Sequence, residues 1–517
     1  MNRRLALGWA LVILAALALR LPQLASRPMH GDEAVHATKF RDLWEHGRYV
    51  YDPNEYHGPT LYYATLLSAW LSPARGYNDF DEVTYRLVPV AFGVGLILLS
   101  LLLADGLGRG PMLCAGALTA LSPAMVFYSR YYIHEMLLVF FTALLIVAEW
   151  RYTRSGRIGW RLLAGAAVGL MYATKETFVL AVGALVLALA AALAWGRVID
   201  RERPNLKLNW QRFGAAAGSA LAVSLLFFSS FFTNVHGPLD AVRTYLPWLN
   251  RAGGASPHRN PWDFYFERLL FFHQKGGPYW SEGLIAALAL IGLITILAGK
   301  GWPRANLLLA RTIAFYTLIL TGIYTALSYK TPWCLLGFWH GAILLAGVGT
   351  VALLRWPRRR WGVVTMAVAL GVGGIQLGWQ AWRASGPENA NRQNPYVYAH
   401  PSTDVLTLVE KVEALAQVSP KGTNLVVKVM AQDSDYWPLP WYLRRFKNVG
   451  WWDRIPAEPL APIMIVSSKF QAAFDERPNK THLMAGYFQL RPQVFLELYV
   501  EINHWRDYVA AHPPKPD

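Results

Sequence analysis

Apolar runs of close to twenty residues, such as Leu87–Ala104 and Thr177–Trp195, recur along the chain, separated by short connections rich in arginine and lysine. At about 1.5 Å of rise per helical residue, such a run matches roughly 30 Å of hydrocarbon. Only 16% of the 517 residues are charged and 54% are hydrophobic, too apolar for a soluble enzyme, a disordered chain or a disulfide scaffold. The net charge of +16 does not point to nucleic acid. Its basic residues gather between the apolar runs, the positive-inside pattern of a protein facing anionic lipid. The chain reads as an all-α polytopic membrane protein.

Basic clusters fall at Arg3/Arg4, at Arg151, Arg154, Arg157 and Arg161, and at Arg197, Arg201, Arg203, Lys207 and Arg212. Others fall at Lys300/Arg304 and at Arg355, Arg358, Arg359 and Arg360. Placing them all in the cytoplasm requires an even number of crossings between clusters. The pairs 162–174 with 177–195, 213–233 with 281–299, and 305–327 with 335–354 comply. Between Arg4 and Arg151 lie five apolar stretches, 5–24, 59–73, 85–104, 111–128 and 132–150, so one does not cross. The short stretch 59–73, opened by Gly58-Pro59 and holding Tyr62, Tyr63 and Trp70, reads as a helix lying in the outer interface. The expectation is about eleven spans, an uncleaved first span, a cytoplasmic N-terminus and an outer C-terminus. Residues 1–380 then form the transmembrane domain, with outer loops 25–84 and 234–280. Residues 381–517 form a small outer α/β domain, with a helical stretch at 403–416 and strand-like runs at 424–430 and 462–467. Cys114 and Cys334 fall near opposite faces, so neither a disulfide nor a metal site is expected.

Five polar motifs fall at the outer ends of these spans. His30-Gly31-Asp32-Glu33-Ala34-Val35-His36 places two carboxylates at a membrane boundary, where desolvation is costly. Its structural alternative is a capped helix with Asp32 as N-cap and Glu33 as dipole partner. Tyr56-His57-Gly58-Pro59-Thr60-Leu61-Tyr62-Tyr63 suits a plain proline helix start equally. Ser129-Arg130-Tyr131-Tyr132-Ile133-His134-Glu135 holds either site groups or a structural ion pair. Thr174-Lys175-Glu176 and Lys330-Thr331-Pro332-Trp333 each carry an outer-face lysine that either binds an anion or anchors a helix. Together at one face, these groups suit transfer from a donor activated by a lipid phosphate. The tail needs an apolar groove, the phosphate needs cations, and an acceptor hydroxyl needs a carboxylate base. A Gly-rich nucleotide loop is missing from the sequence.

These motifs, with Ser122-Pro123, Asn394-Pro395-Tyr396-Val397-Tyr398 and Asp435-Tyr436-Trp437-Pro438-Leu439-Pro440-Trp441-Tyr442-Leu443, resemble the GT-C-fold lipid-donor glycosyltransferases. The sequence is similar to the protein O-mannosyltransferase and aminoarabinose-transferase group, and more closely to the prokaryotic flippase activity-associated proteins. The resemblance implies an inverting hexosyltransferase acting on a polyprenyl-phosphate sugar at the outer face of the plasma membrane. The implied acceptor is a protein, lipid or glycan, with no nucleic acid involved. It maps the essential acids onto Asp32, Glu33 and Glu135, with Asp32 as base and Glu33 as the orienting group. His57, Arg130, His134, Lys175, Lys330 and Tyr62 map onto substrate binding. A lysine of the group is replaced at His57-Gly58-Pro59, which shifts phosphate neutralisation onto Lys175, Lys330 and Arg130. The group implies no certain metal, although its oligosaccharyltransferase relatives hold a divalent cation with similar acids. A non-enzymatic flippase, or a flippase-associated protein, is the rival class. It would need ionisable residues at mid-membrane depth, whereas here the charges gather at one face. Within the tail, Asp433, Asp435, Trp437 and Trp441 suit either stacking on an acceptor glycan or a packing core against the membrane face.

Overall fold

The computed structural model describes residues 3–54, 57–201, 209–248, 258–299, 306–476 and 478–513. Tyr56 of the second motif, the basic residues Arg203, Lys207, Lys300 and Arg304, and residues 249–257 of the loop expected at the outer face lie outside them. A helix stands at every stretch read as a span, beginning with Arg3–Arg20, Glu82–Leu101, Arg109–Leu121, Glu135–Ser155, Ile158–Tyr172 and Phe178–Val198. Trp210–Phe228, Gly283–Ala298, Leu307–Ala326, Leu336–Arg355 and Arg360–Ser385 complete the set. Among the described residues, seven segments are long and apolar enough to cross a membrane: Glu82–Leu101, Glu135–Ser155, Phe178–Val198, Trp210–Phe228, Leu307–Ala326, Pro332–Arg355 and Arg360–Ser385. The other helices fall short of that standard, by length for Arg109–Leu121, Ile158–Tyr172 and Gly283–Ala298, and by the charge of Arg3, Arg4 and Arg20 for the first. Eleven crossings would need all four of these.

The helix Leu336–Arg355 is central and mostly buried. Gly349 lets it touch Gly283–Ala298 backbone to backbone, since a Cβ there would stand 1.9 Å from Leu288 O. Without a hydrophobic force between helices in lipid, such close approach of small residues is what holds spans together. Peripheral helices instead expose leucine, valine and isoleucine, as Val364, Val368, Val372 and Ile375 do on Arg360–Ser385. The stretch read as interfacial is the helix Thr60–Leu71, about 18 Å long and too short to span. Its Leu67, Trp70 and Leu71 are exposed.

Beyond Ser385 a linker leads to a helix, Asp404–Val418, and a five-stranded sheet. The strands are β1 Val426–Met430, β2 Asn448–Trp452, β3 Ile463–Ser467, β4 His482–Arg491 and β5 Val494–Glu501. Their order is β2-β1-β3-β5-β4. β1 pairs in parallel with β2 and β3, and β5 runs antiparallel to β3 and β4. Every β3 residue is buried, which is why that run reads as continuous rather than alternating. Val405, Leu408, Val412 and Leu415 of the helix Asp404–Val418 cover the sheet, with the helical spacing of one apolar face.

Candidate active site

The helix Gly31–His46 determines where the first two carboxylates point. Its N-cap is His30, whose Nδ1 accepts the Asp32 backbone N–H at 3.1 Å. Glu33 Oε2 reciprocally accepts the His30 N–H at 3.0 Å, a capping box with an imidazole in the serine position. Capping therefore falls to His30 rather than Asp32, and the two acids separate. Glu33, fully buried, accepts from Arg27 Nη2 at 3.0 Å, Arg86 Nε and Nη2 at 2.9 Å each, and Tyr132 N at 2.9 Å. Asp32 points the other way. Its side chain is 51% accessible, and among the described residues no lysine or arginine is in ion-pair contact with it.

Asp32 faces a cavity of about 720 Å³, within the usual size of small-molecule sites. Its walls include His36, His57, Glu135, Lys175, Tyr324 and Trp333. Lys175, from the turn between Ile158–Tyr172 and Phe178–Val198, pairs with Glu135 at the start of Glu135–Ser155. His57 Nδ1 lies 2.8 Å from Glu176 Oε2, and Tyr51 donates its hydroxyl to Glu176 Oε1 at 3.2 Å. The His57 and Lys175 loops are stitched together by Gly58 N to Thr174 O at 3.0 Å and Thr60 N to Ala173 O at 3.1 Å. A Cβ at Gly58 would stand 2.1 Å from Ala173 O, so only glycine permits this approach. His134 closes the back of the site, with Nε2 at 2.9 Å from Gly58 O and its ring 4.7 Å from that of His36.

The electrostatics follow from this enclosure. Partial desolvation in the cavity pushes the Asp32 carboxyl up, but His30, His36, His57 and Lys175 around it act more strongly in the other direction and hold it below the ordinary carboxylate range. Glu176 is likewise held low, against its burial, by His57. Burial pushes the His36 imidazole down to about 3. Burial works against the Lys175 ammonium, yet the Glu135 carboxylate raises it above its usual value. Near neutral pH the cavity thus presents an ionised Asp32 and a charged Lys175.

Of the residues singled out in the sequence, Asp32, His57, Glu135 and Lys175 line this cavity. Glu33, His134 and Tyr62 stand behind its walls, Tyr62 with its hydroxyl 2.9 Å from His36 Nδ1. Two cations are turned elsewhere. Arg130 donates to Leu19 O at 3.2 Å and Gln23 O at 3.0 Å, tying down the end of the first helix. Lys330 Nζ donates to Asn260 O at 3.2 Å and to Leu327 O. Neither residue is among those lining the cavity that Asp32 and Lys175 share, and both donate to main-chain carbonyls. Sequence reasoning does not single out Glu176 or Tyr436, whereas Trp437, one of the tail residues read as a stacking platform or as packing, lines the cavity beside Tyr436. Another buried carboxylate, Glu282, accepts from Ser122, Ala124 N at 2.9 Å, Trp339 Nε1 at 3.1 Å and Tyr396 OH at 2.6 Å. It fastens the linker to the helical domain. Among the described residues, no group of three or more His, Cys, Asp or Glu is placed to hold a metal ion.

Residues 14–236 match the family model described as dolichyl-phosphate-mannose-protein mannosyltransferase. That stretch contains Asp32, His57, Glu135 and Lys175. The structure is similar to that of ArnT from Cupriavidus metallidurans bound to undecaprenyl phosphate, at 14% identity and TM-score 0.63, covering 95% of this chain and 98% of that one. The same enzyme in the apo state superposes at 15% identity and TM-score 0.66, with the same coverage. The Archaeoglobus fulgidus oligosaccharyltransferase, in complex with Zn and sulfate, is similar at 10% identity and TM-score 0.54, covering 98% of this chain and 76% of that one. No curated protein matches the sequence. The likeness is one of fold: the chain is a helical multi-pass membrane protein of the GT-C type with a small C-terminal sheet domain.

Proposed function

We propose that this GT-C membrane protein is a glycosyltransferase that moves a sugar from a polyprenyl-phosphate donor to an acceptor hydroxyl on the extracytoplasmic face, with inversion. One observation carries the reading: a single cavity at the ends of the spans sets Asp32, which among the described residues has no lysine or arginine partner, beside Lys175 and His57. The match of residues 14–236 to a lipid-phosphate-mannose transferase family supports the donor class, as does the fold shared with an ArnT bound to undecaprenyl phosphate.

The chemistry follows from placement. The acceptor hydroxyl gives its proton to the Asp32 carboxylate as its oxygen attacks the anomeric carbon. The bond from that carbon to the phosphate oxygen breaks, and its electron pair leaves with the polyprenyl phosphate. Lys175 Nζ stabilises the charge gathering on that leaving group, and His57, anchored through Nδ1 by Glu176, offers Nε2 to it. A phosphate monoester departs without an acid partner, so one carboxylate base suffices. Glu135 holds Lys175 in position, and Glu33 fixes the helix that carries Asp32.

The test is Asp32→Asn in the purified full chain supplied with a short-chain polyprenyl-phosphate sugar and candidate acceptors. The expected result is a loss of transfer of about 10²-fold or more with unchanged folding. Turnover like the wild type in a folded Asn variant overturns the assignment. Vesicles in which the wild-type chain moves a labelled lipid-linked sugar across the bilayer and yields no transfer product favour the flippase instead.

A further inference from the structure

The proposed transfer step leaves one wall of the cavity without a task. Ser434, Tyr436 and Trp437, from the loop that follows β1, line it together with Asp32 and His57. This loop keeps a costly shape. Asp433 and Ser434 sit consecutively at φ 54° and 57°, in the left-handed region where a Cβ crowds the backbone. Such conformations persist where the surroundings over-determine them, often at ligand sites. Those surroundings are present. Asp435 is held by Lys469 Nζ at 2.8 Å and by Arg491, and Arg491 Nη1 also donates to Trp437 O at 3.4 Å. The segment that follows is tied to the first outer loop. Met29 N donates to Tyr442 OH at 2.8 Å, Trp441 Nε1 to Glu82 Oε1 at 2.9 Å, and Arg444 Nη2 to Phe80 O at 2.5 Å.

Two tryptophans of this segment differ in what they do. Trp441 is fully buried against Tyr85, its ring 5.2 Å away, and serves as packing. Trp437 is only half-buried. Its Cβ comes within 3.8 Å of the point a Cβ on Gly31 would occupy, next to the residue that carries the base. Tyr436 lies beside it at 6.3 Å and 33°, backed by Trp451 at 4.8 Å.

We propose that the loop 433–437 is the acceptor subsite and that the acceptor is a carbohydrate. Its pyranose ring lies on Trp437 and Tyr436, and one hydroxyl reaches Asp32. This rests on the reading of Asp32 as the base. Two neighbouring aromatic faces, rigidly held and partly wet, match the apolar C–H face of a sugar, while the exposed, cavity-lining Ser434 matches its hydroxyl edge. The lining segment is a turn, so it presents no strand edge on which a peptide backbone would pair. A cavity of about 720 Å³ has room for a donor headgroup and one acceptor ring together.

The experiment is saturation-transfer NMR on the purified full chain in lipid nanodiscs, using the methyl pyranosides of mannose, glucose, galactose and N-acetylglucosamine as probes. At least one should receive saturation. Trp437→Ala should lower that signal at least five-fold, and Trp437→Phe should keep more than half of it. Trp437→Leu repeats the test if the alanine variant melts earlier than the wild type. Wild-type protein that binds none of the four sugars, or folded Trp437 variants that bind them undiminished, overturn the proposal. So does Trp437-dependent saturation of a serine- or threonine-containing peptide in place of the sugars. Failure of the transferase reading would be seen separately, in the turnover of Asp32→Asn.

Discussion

Adjacent carboxylates with opposite duties offer a sharp test. Replacing Glu33 by Gln removes a negative charge from between two guanidiniums. Glu33 has no accessible surface, while Arg27 is 5% and Arg86 1% exposed. The carboxylate oxygens accept the Arg27, Arg86, His30 and Tyr132 donors, and an amide can satisfy only part of that set. Deleting one partner of a buried ionic cluster costs about 3–5 kcal/mol, because the charges left behind are uncompensated. Burial pushes this carboxyl up, but Arg27 and Arg86 outweigh it and hold it far below its ordinary range. A carboxylate depressed in this way contributes stability that is fully present above its unfolded value of about 4.3 and is lost as the pH falls through the folded value. Between pH 6 and 8 the Gln variant should therefore be destabilised by a near-constant amount. Asp32→Asn changes a side chain open to the cavity, so its stability should stay within about 0.5 kcal/mol of wild type. Equilibrium unfolding of both variants in the same detergent measures the contrast. A Glu33→Gln protein within about 1 kcal/mol of wild type would refute the structural role drawn for Glu33.

Gly58→Ala would drive a Cβ into Ala173 O, so the His57 loop must shift. Transfer should fall at least about ten-fold through misplacement of the site, measured against a donor titration. Lys175→Gln should raise the donor KM by about 10–100-fold, the effect of losing a charge-assisted hydrogen bond, whereas Lys330→Met should leave it unchanged because that ammonium caps carbonyls. Equal effects of the two would contradict the geometry. Burial pushes His36 down to about 3 and His400 well below its usual value. Their neutral forms contribute stability that is present above the unfolded value of about 6.5 and declines as the pH falls from there toward the folded values. Melting followed from pH 7.5 to 4.5 should show this decline, and His36→Gln should flatten part of it.

Much of the helical domain is legible in the sequence because hydrocarbon thickness dictates run length, and the short helix Thr60–Leu71 declares its start through Gly58-Pro59. The sheet domain is legible in outline, since Val426–Met430 and Ile463–Ser467 are dense in β-branched residues. The hairpin of β4 and β5 is not, its alternation blurred by a bulge between Met484 and Gly486. The chemistry-bearing residues can be found by motif, but their pairing cannot. Nothing in a linear chain says that Arg86, 53 residues away, will claim Glu33, or that an imidazole at His30 will cap the helix and release Asp32. Arg130 and Lys330, cations at the ends of apolar stretches, look alike as letters to Lys175. Only the fold tells a side chain that ends on carbonyl oxygens from one that faces an open cavity.

The decisive experiment is a structure of the full chain bound to a polyprenyl phosphate. The phosphate should lie within about 3 Å of Lys175 Nζ and His57 Nε2, with room for the sugar toward Asp32. A phosphate held by Arg130 or Lys330, or seated outside the cavity that Asp32 lines, would contradict it.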